Sequence, residues 1–195
     1  MTRGPLIILS GPAGVGKSTV AARLLKEGGL PLRQSVSATT RLPRPGESDG
    51  VHYHFWTRQR FHEAEAAGAF LETATVHGEN RYGTLKSEVT PFRARGVGVL
   101  LVIDVQGAAR VRQQCPDALS IFLSAPAEDL ALRLQARGSE DEAVMRRRLE
   151  TARAELQRAG DYDHVLINDD LETTVSRLRD LIAGCFSEGK RCSTN

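Results

Sequence analysis

The chain predicts an α/β fold in which a mainly parallel sheet is flanked by helices. Three observations carry this. Short apolar runs alternate with stretches of helical periodicity, the rhythm of strand–helix–strand crossovers. The run 97–103 is apolar almost throughout, as a strand buried on both faces must be. The first apolar run, 6–9, ends in Gly11-Pro12-Ala13-Gly14-Val15-Gly16-Lys17-Ser18-Thr19, a glycine-rich turn that opens a helix. At 195 residues the chain is long enough for one domain with a core of its own.

Taken in order, residues 6–9 form the first strand. The spacing Gly11-x-x-x-x-Gly16-Lys17-Ser18 is that of a phosphate-binding P-loop. Its glycines let several backbone N–H groups converge on one phosphate. Lys17 reaches the β- and γ-phosphates of a nucleotide, and the Ser18 hydroxyl binds Mg²⁺. The helix 17–26, closed by Gly28-Gly29, turns its positive dipole end to the same anion. These residues predict a P-loop NTPase-type fold that binds a nucleoside triphosphate with Mg²⁺. They leave the phosphate acceptor open. Further strands are expected at 97–103, 119–123 and 164–167. Leu171, Val175, Leu178 and Ile182 mark one face of a last helix.

Two inserts interrupt this rhythm. Residues 35–92 carry short polar strands, the turn Pro43-Arg44-Pro45-Gly46 and a helix near 57–67 ended by Gly68. Their low apolar content predicts a substrate-facing subdomain outside the main core. Pro91 presents a conflict: a helix over 86–95 would lose a hydrogen bond there and kink, whereas one starting at Thr90 would take Pro91 at its first position. Residues 127–160 are helical and arginine-rich, with Ser139 and Glu142 as a capping box. Their Arg133, Arg137, Arg146, Arg147 and Arg148 would line a mobile lid, although the run 146–148 also suits a solvated helix face. The chain is thus expected to be a single domain, its core formed by 4–34, 93–126 and 161–187, with a frayed tail at 188–195.

Composition excludes several classes. A formal net charge of +2 and 5% aromatic residues do not make the basic, aromatic-studded stripe of a nucleic-acid binder. No run approaches the roughly 20 apolar residues of a membrane span. The N-terminus leads almost directly into the first strand, so no signal peptide is expected. Cys115, Cys185 and Cys192 are odd in number and fit no metal spacing, so reduced thiols and a cytoplasmic location are expected. His52 and His54 share one face of a possible strand but have no third ligand nearby, which favours plain surface residues. Monomer and homo-oligomer are both left open.

Beyond the P-loop, two groups of residues carry chemistry. Asp104 follows the strongest strand, where a P-loop enzyme places the carboxylate that holds Mg²⁺ or its water shell. Arg41 and Arg44, three apart and stiffened by Pro43 and Pro45, form a preset fork for a phosphate. Tyr53 and Tyr82 would donate hydroxyls to that phosphate without adding charge. Glu72 lies in the hydroxyl-rich run 70–76. A carboxylate there can accept two N–H bonds from a base with adjacent donors, and guanine offers them. By itself Glu72 would read as a solvated strand residue.

The run Ser37-Ala38-Thr39-Thr40-Arg41-Leu42-Pro43-Arg44 with Gly46-Glu47 is followed by Tyr53, Glu72 and Tyr82-Gly83-Thr84. Then come Asp104-Val105-Gln106-Gly107, Arg137-Gly138 and Asn168-Asp169-Asp170. In that order these motifs resemble the guanylate kinases, over essentially residues 4–187. The resemblance implies a kinase that transfers a phosphoryl group from ATP to GMP, and to dGMP, with Mg²⁺. It implies that 35–92 is a GMP-binding insert and 127–160 a lid. Arg41, Arg44, Tyr53 and Tyr82 would hold the GMP phosphate, while Ser37, Glu72 and Thr84 read the guanine and Asp104 borders the acceptor and, through water, the metal. Residues 11–19 would hold ATP. Arg133, Arg137 and Arg148 would close over the phosphates or adenine, and Asn168 would sit beside the adenine. Lys17, Arg41, Arg137 and Arg148 would act on the transferring group.

Two positions depart from the family's pattern. Val102 stands where the family usually has a second acid, which leaves the site one carboxylate short. Ala13 replaces a common serine at a position expected to face the loop exterior. Other readings fit less well. A ribose-bisphosphate kinase of the same fold would not need Ser37, Glu72 and Thr84 together. The acceptor motifs of adenylate and thymidylate kinases are absent, as is the Asn-Lys-x-Asp motif of a GTPase. A non-catalytic guanylate-kinase-like module would typically have lost Lys17.

Overall fold

The computed structural model describes residues 2–76, 80–126, 129–130 and 150–187. In chain order its first half comprises β1 (Leu6–Ser10), α1 (Lys17–Glu27), β2 (Leu32–Gln34), β3 (Ala38–Thr39), β4 (His54–Phe55), α2 (Arg58–Ala66), β5 (Phe70–Val76) and β6 (Asn80–Leu85). Then follow α3 (Lys86–Ala94), β7 (Gly98–Val102), α4 (Val105–Gln114), β8 (Leu119–Ser124), β9 (His164–Ile167) and α5 (Leu171–Ser187).

The main sheet has the order β2-β7-β1-β8-β9, and every pairing in it is parallel. β1 lies at its centre and is buried along its whole length. Its side chains alternate between two cores, as a strand's period of two requires. Ile7 and Leu9 join Val20, Leu24, Val175, Leu178 and Ile182 on the face covered by α1 and α5. Leu6 and Ile8 join Val89, Ala108 and Val111 on the face covered by α3 and α4. Each such buried aliphatic side chain contributes roughly 1.5–3 kcal/mol. The parallel register ends β1 and β7 together, with Leu9 opposite Val102, so the two loops that follow emerge side by side. Ligands gather at this carboxyl edge in open α/β sheets.

A second, mixed sheet of order β4-β3-β6-β5 is built from the first insert. It has a small core of its own. Ala38, Phe61, Phe70 and Leu85 are buried there with Trp56 against them, and Phe61 stacks on Phe70 at 4.5 Å between centroids. The sequence looked poor in apolar residues because a few aromatics do the work of many aliphatics. α2 begins where the Thr57 side chain accepts the Arg60 N–H at 3.2 Å.

Pro91 lies inside α3, which runs unbroken from Lys86. The helix tolerates it because Ser87 and Pro91 are both exposed, so the carbonyl that loses its partner faces solvent. The opposite face is pinned: buried Arg93 donates to the Gly4 carbonyl at 2.8 Å and to Asp117 at 2.6 Å.

Candidate active site

A cavity of about 550 Å³ opens at the carboxyl edge of the main sheet, between the P-loop and the second sheet. Its walls include Lys17 and Ser18 on one side, Glu72 and Tyr82 on the other, and Asp104 between them. A second hollow of about 920 Å³ continues from Ser18 past Ser37 to Arg41, Arg44 and Tyr53. Both clusters predicted from sequence therefore border connected space.

The P-loop is anchored from below. Val15 is fully buried in the core beneath α1. Its carbonyl accepts the Asn168 side-chain N–H at 2.7 Å, and Asn168 is itself buried. Gly16 has φ +100° and lies so close that an added Cβ would fall 2.6 Å from Asn168 Nδ2, so glycine is required there twice over. Asn168, expected beside the adenine, gives a side-chain N–H to the loop. Ala13, expected on the loop's exterior, lines the cavity because the loop curls it inward. Lys17 Nζ donates to the Gly11 and Pro12 carbonyls at 2.7 and 3.0 Å, which holds the ammonium over the loop's mouth.

Asp104 is the N-cap of α4, one residue beyond Ile103, where the sequence placed it at a strand end. Its Oδ1 accepts the Gly107 N–H at 2.7 Å, which orients the carboxylate at the cavity wall. Val102, the position lacking the usual acid, also lines the cavity.

Glu72 shows the strongest design. β5 and β6 pair Glu72 directly with Thr84, next to a register shift in β5. Glu72 is 6% exposed. Its Oε1 accepts the Thr84 hydroxyl at 2.7 Å and the Thr84 N–H at 3.1 Å. Its Oε2 is buried with no partner. α4 closes in from the other side: a Cβ at Gly107 would lie 2.9 Å from Oε2, so only glycine leaves that oxygen room. Burial is the main reason its pKa rises to about 6; the Thr84 bonds pull the other way, and the Asp104 charge adds to the rise. A buried carboxylate oxygen with one satisfied partner and one bare one is an acceptor prepared for a donor.

In the clamp, Arg41 donates from Nη1 and Nη2 to Glu47 at 2.9 Å each, and from Nε to the Tyr82 hydroxyl at 3.2 Å. The Glu47 bonds hold the Arg41 pKa above its ordinary value and the Glu47 pKa below. Tyr53 meets Tyr82 edge-on at 5.8 Å, and burial raises its pKa. Arg44 is exposed at the rim of both hollows.

Sequence reasoning missed Glu155. It lies in a helical stretch at 150–156 and lines the cavity near Lys17. The Ala13 N–H bonds to its carboxylate, and its Oε2 is buried without a partner. Burial raises its pKa; the Lys17 charge opposes this and the Asp104 charge adds to it. The available signal was Ala152 and Leu156 flanking it on the inward face of that helix. Arg133, Arg137, Arg146, Arg147 and Arg148, with the capping pair Ser139 and Glu142, lie outside the described residues, as does Cys192. Cys115 is a free thiol, and among the described residues no group of three or more His, Cys, Asp or Glu could hold a metal ion. His52 Nδ1 accepts the Ser48 N–H instead. No helix of the described residues is long and apolar enough to cross a membrane.

The guanylate kinase family profile matches residues 3–184. The guanylate kinase of Mycolicibacterium paratuberculosis is 48% identical over 183 residues, 93% of this chain and 82% of the relative. That of Synechococcus sp. (strain JA-3-3Ab) is 46% identical over 182 residues, 93% of this chain and 83% of the relative. The crystal structure of guanylate kinase from Anaplasma phagocytophilum superposes with a TM-score of 0.80 at 33% identity, covering 99% of this chain and 90% of that one. Likeness of this extent takes in the segments that wall the cavity as well as the sheet beneath it, and the chain belongs to the guanylate kinase family.

Proposed function

We infer that the protein transfers the γ-phosphoryl group of ATP to GMP, giving ADP and GDP. The observation that carries the acceptor is Glu72, a buried carboxylate held by Thr84 on one oxygen and bare on the other. Guanine presents a ring N–H and an exocyclic amine side by side, which such a carboxylate accepts together. Adenine turns a lone pair toward it. Thr84 and Ser37 border the same base. Arg44, Arg41, Tyr53 and Tyr82 hold the acceptor phosphate. Residues 11–19 hold the ATP phosphates. Neither the base nor the clamp distinguishes a ribose from a deoxyribose, so dGMP is a second acceptor.

The acceptor is already an anion at neutral pH, so the chemistry needs no strong base. The task is to bring two polyanions into line and to neutralise them. Lys17, poised over the loop's mouth, serves the β- and γ-phosphates. Ser18 and the Asp104 carboxylate are hard oxygen donors and fit Mg²⁺, which binds protein through one or two such groups and keeps water and phosphate for the rest. When bound, that ion neutralises charge on the two phosphates. The insert 35–92 and the lid 127–160 act as jaws, and Arg133, Arg137 and Arg148 supply the remaining positive charge. The free thiol at Cys115 suits a reducing, cytoplasmic setting.

A coupled assay of ADP release with GMP, dGMP, AMP, UMP and CMP tests this reading. GMP and dGMP should turn over, and AMP should be slower by roughly 10⁴, the penalty for misplacing buried hydrogen-bonding groups. Equal rates on AMP would remove Glu72 as the base reader.

A further inference from the structure

The clamp holds a group that the reaction does not consume. Arg41 has five N–H donors. Nε is bonded to Tyr82 Oη at 3.2 Å, Nη1 to the Leu42 carbonyl at 2.6 Å and to Glu47 Oε2 at 2.9 Å, and Nη2 to Glu47 Oε1 at 2.9 Å. One Nη2 donor is left. Tyr82 accepts from Arg41, so its own O–H proton remains to be given. Glu47 also closes the loop on itself. Its Oε2 accepts the Arg44 N–H at 2.7 Å, and its backbone N–H donates to the Arg44 carbonyl at 3.0 Å. The Arg41 and Glu47 side chains are 13% and 19% exposed, well withdrawn from solvent for a loop ion pair. The prolines at 43 and 45 fix backbone angles but not guanidinium directions.

We propose that Glu47 is the positioning residue of the acceptor-phosphate clamp: its carboxylate fixes the Arg41 guanidinium and the Arg44 turn so that one Arg41 N–H, the Tyr82 hydroxyl and the Arg44 side chain converge on a single phosphate. This rests on the reading of 41–53 as the clamp and adds to it the device that orients it. A carboxylate beside a phosphate site repels the ligand. Here three donors already neutralise it, so the loss of order outweighs the loss of repulsion when it is removed. The clamp gains its bidentate direction from a plane held in place, not from charge alone.

The test compares GMP with guanosine, which has the base but no phosphate, in the wild type, Glu47→Ala and Glu47→Asp. Glu47→Ala should weaken GMP binding by about tenfold or more, the loss of one oriented charge-assisted contact. Guanosine binding and the KM for ATP should stay within about twofold, the scatter expected for sites whose contacts are untouched. Glu47→Asp, which keeps the charge on a shorter arm, should fall between. If Glu47→Ala binds GMP more tightly, the carboxylate is a competitor of the phosphate and the proposal is overturned. Equal weakening of guanosine and GMP overturns it too, since Glu47 would then support the whole insert. Should Glu47→Ala fail to fold, Glu47→Asp decides by the same split. Wild-type protein that binds guanosine as tightly as GMP would instead remove the clamp reading itself.

Discussion

Glu72 is costly to keep. Its pKa rises from 4.5 to about 6 on folding, chiefly through burial. Between those values the unfolded chain has released a proton that the folded chain retains. Stability therefore falls as pH rises through that window, and the full cost, about 2 kcal/mol, stands at neutral pH. Glu72→Gln removes it. The variant should be more stable than the wild type at pH 7.5, by up to about 2 kcal/mol in urea unfolding, and no more stable near pH 4. The same variant should lose about 10² or more in kcat/KM for GMP, because one acceptor oxygen becomes a donor amide facing guanine's donors. Guanosine binding to the wild type should also weaken as pH drops through about 6, where the carboxylate takes up its proton. A variant that is destabilised at neutral pH and equally active would show that Glu72 is an ordinary buried strand residue.

At the level of elements, the P-loop shows what a sequence can and cannot reveal. Its strand, turn and helix were legible because each is local: an apolar run, glycines at fixed spacing, and a helix start. The paired residues Glu72 and Thr84 were legible as candidates, but their hydrogen bonds depend on a cross-strand register twelve residues apart in sequence. The Glu155 contact and the Asn168 tie join the P-loop to segments remote in the chain, across 153 residues for Asn168, and no local pattern encodes them. Asn168→Ala should remove the bond to the Val15 carbonyl, at roughly 1 kcal/mol, and loosen the loop. ADP and tripolyphosphate should both bind several-fold more weakly, while GMP binding holds. If only the adenine nucleotide suffers, Asn168 reads the base and the tie is incidental. α3 is the converse case, where local preference loses to its surroundings. Pro91 persists because its face is wet and Val89 and Arg93 anchor the other side. Pro91→Ala should stabilise the protein by about 1 kcal/mol or more, since proline in a helix interior is some 3 kcal/mol worse than alanine; no gain in thermal melting would mean that the helix has adapted fully to it.

The molecule as a whole divides its labour between two sheets with separate cores that meet at one cavity. The P-loop rests on the main sheet through Val15, and Ser37, Glu72, Tyr82 and Thr84 are carried by the second sheet. The two polyanions of the proposed reaction would then be gripped by residues of two sheets that face one cavity. Separate cores imply separable damage. Phe61 is fully buried, stacks on Phe70 and belongs to the second sheet's own cluster. Phe61→Ala opens a cavity in the second sheet alone, a change that typically costs 3–5 kcal/mol where it occurs. The strands that hold Glu72 and Thr84 in register should open locally before the P-loop does. The expected result is a large loss of GMP affinity, amides of β5 and β6 that exchange hydrogen faster, and ADP affinity within about twofold of the wild type, since the contacts of the loop are untouched. Parallel loss of ADP and GMP binding, with uniform exchange across both sheets, would show that the two cores fold as one cooperative unit, and the jaws would then have to close by bending the whole molecule.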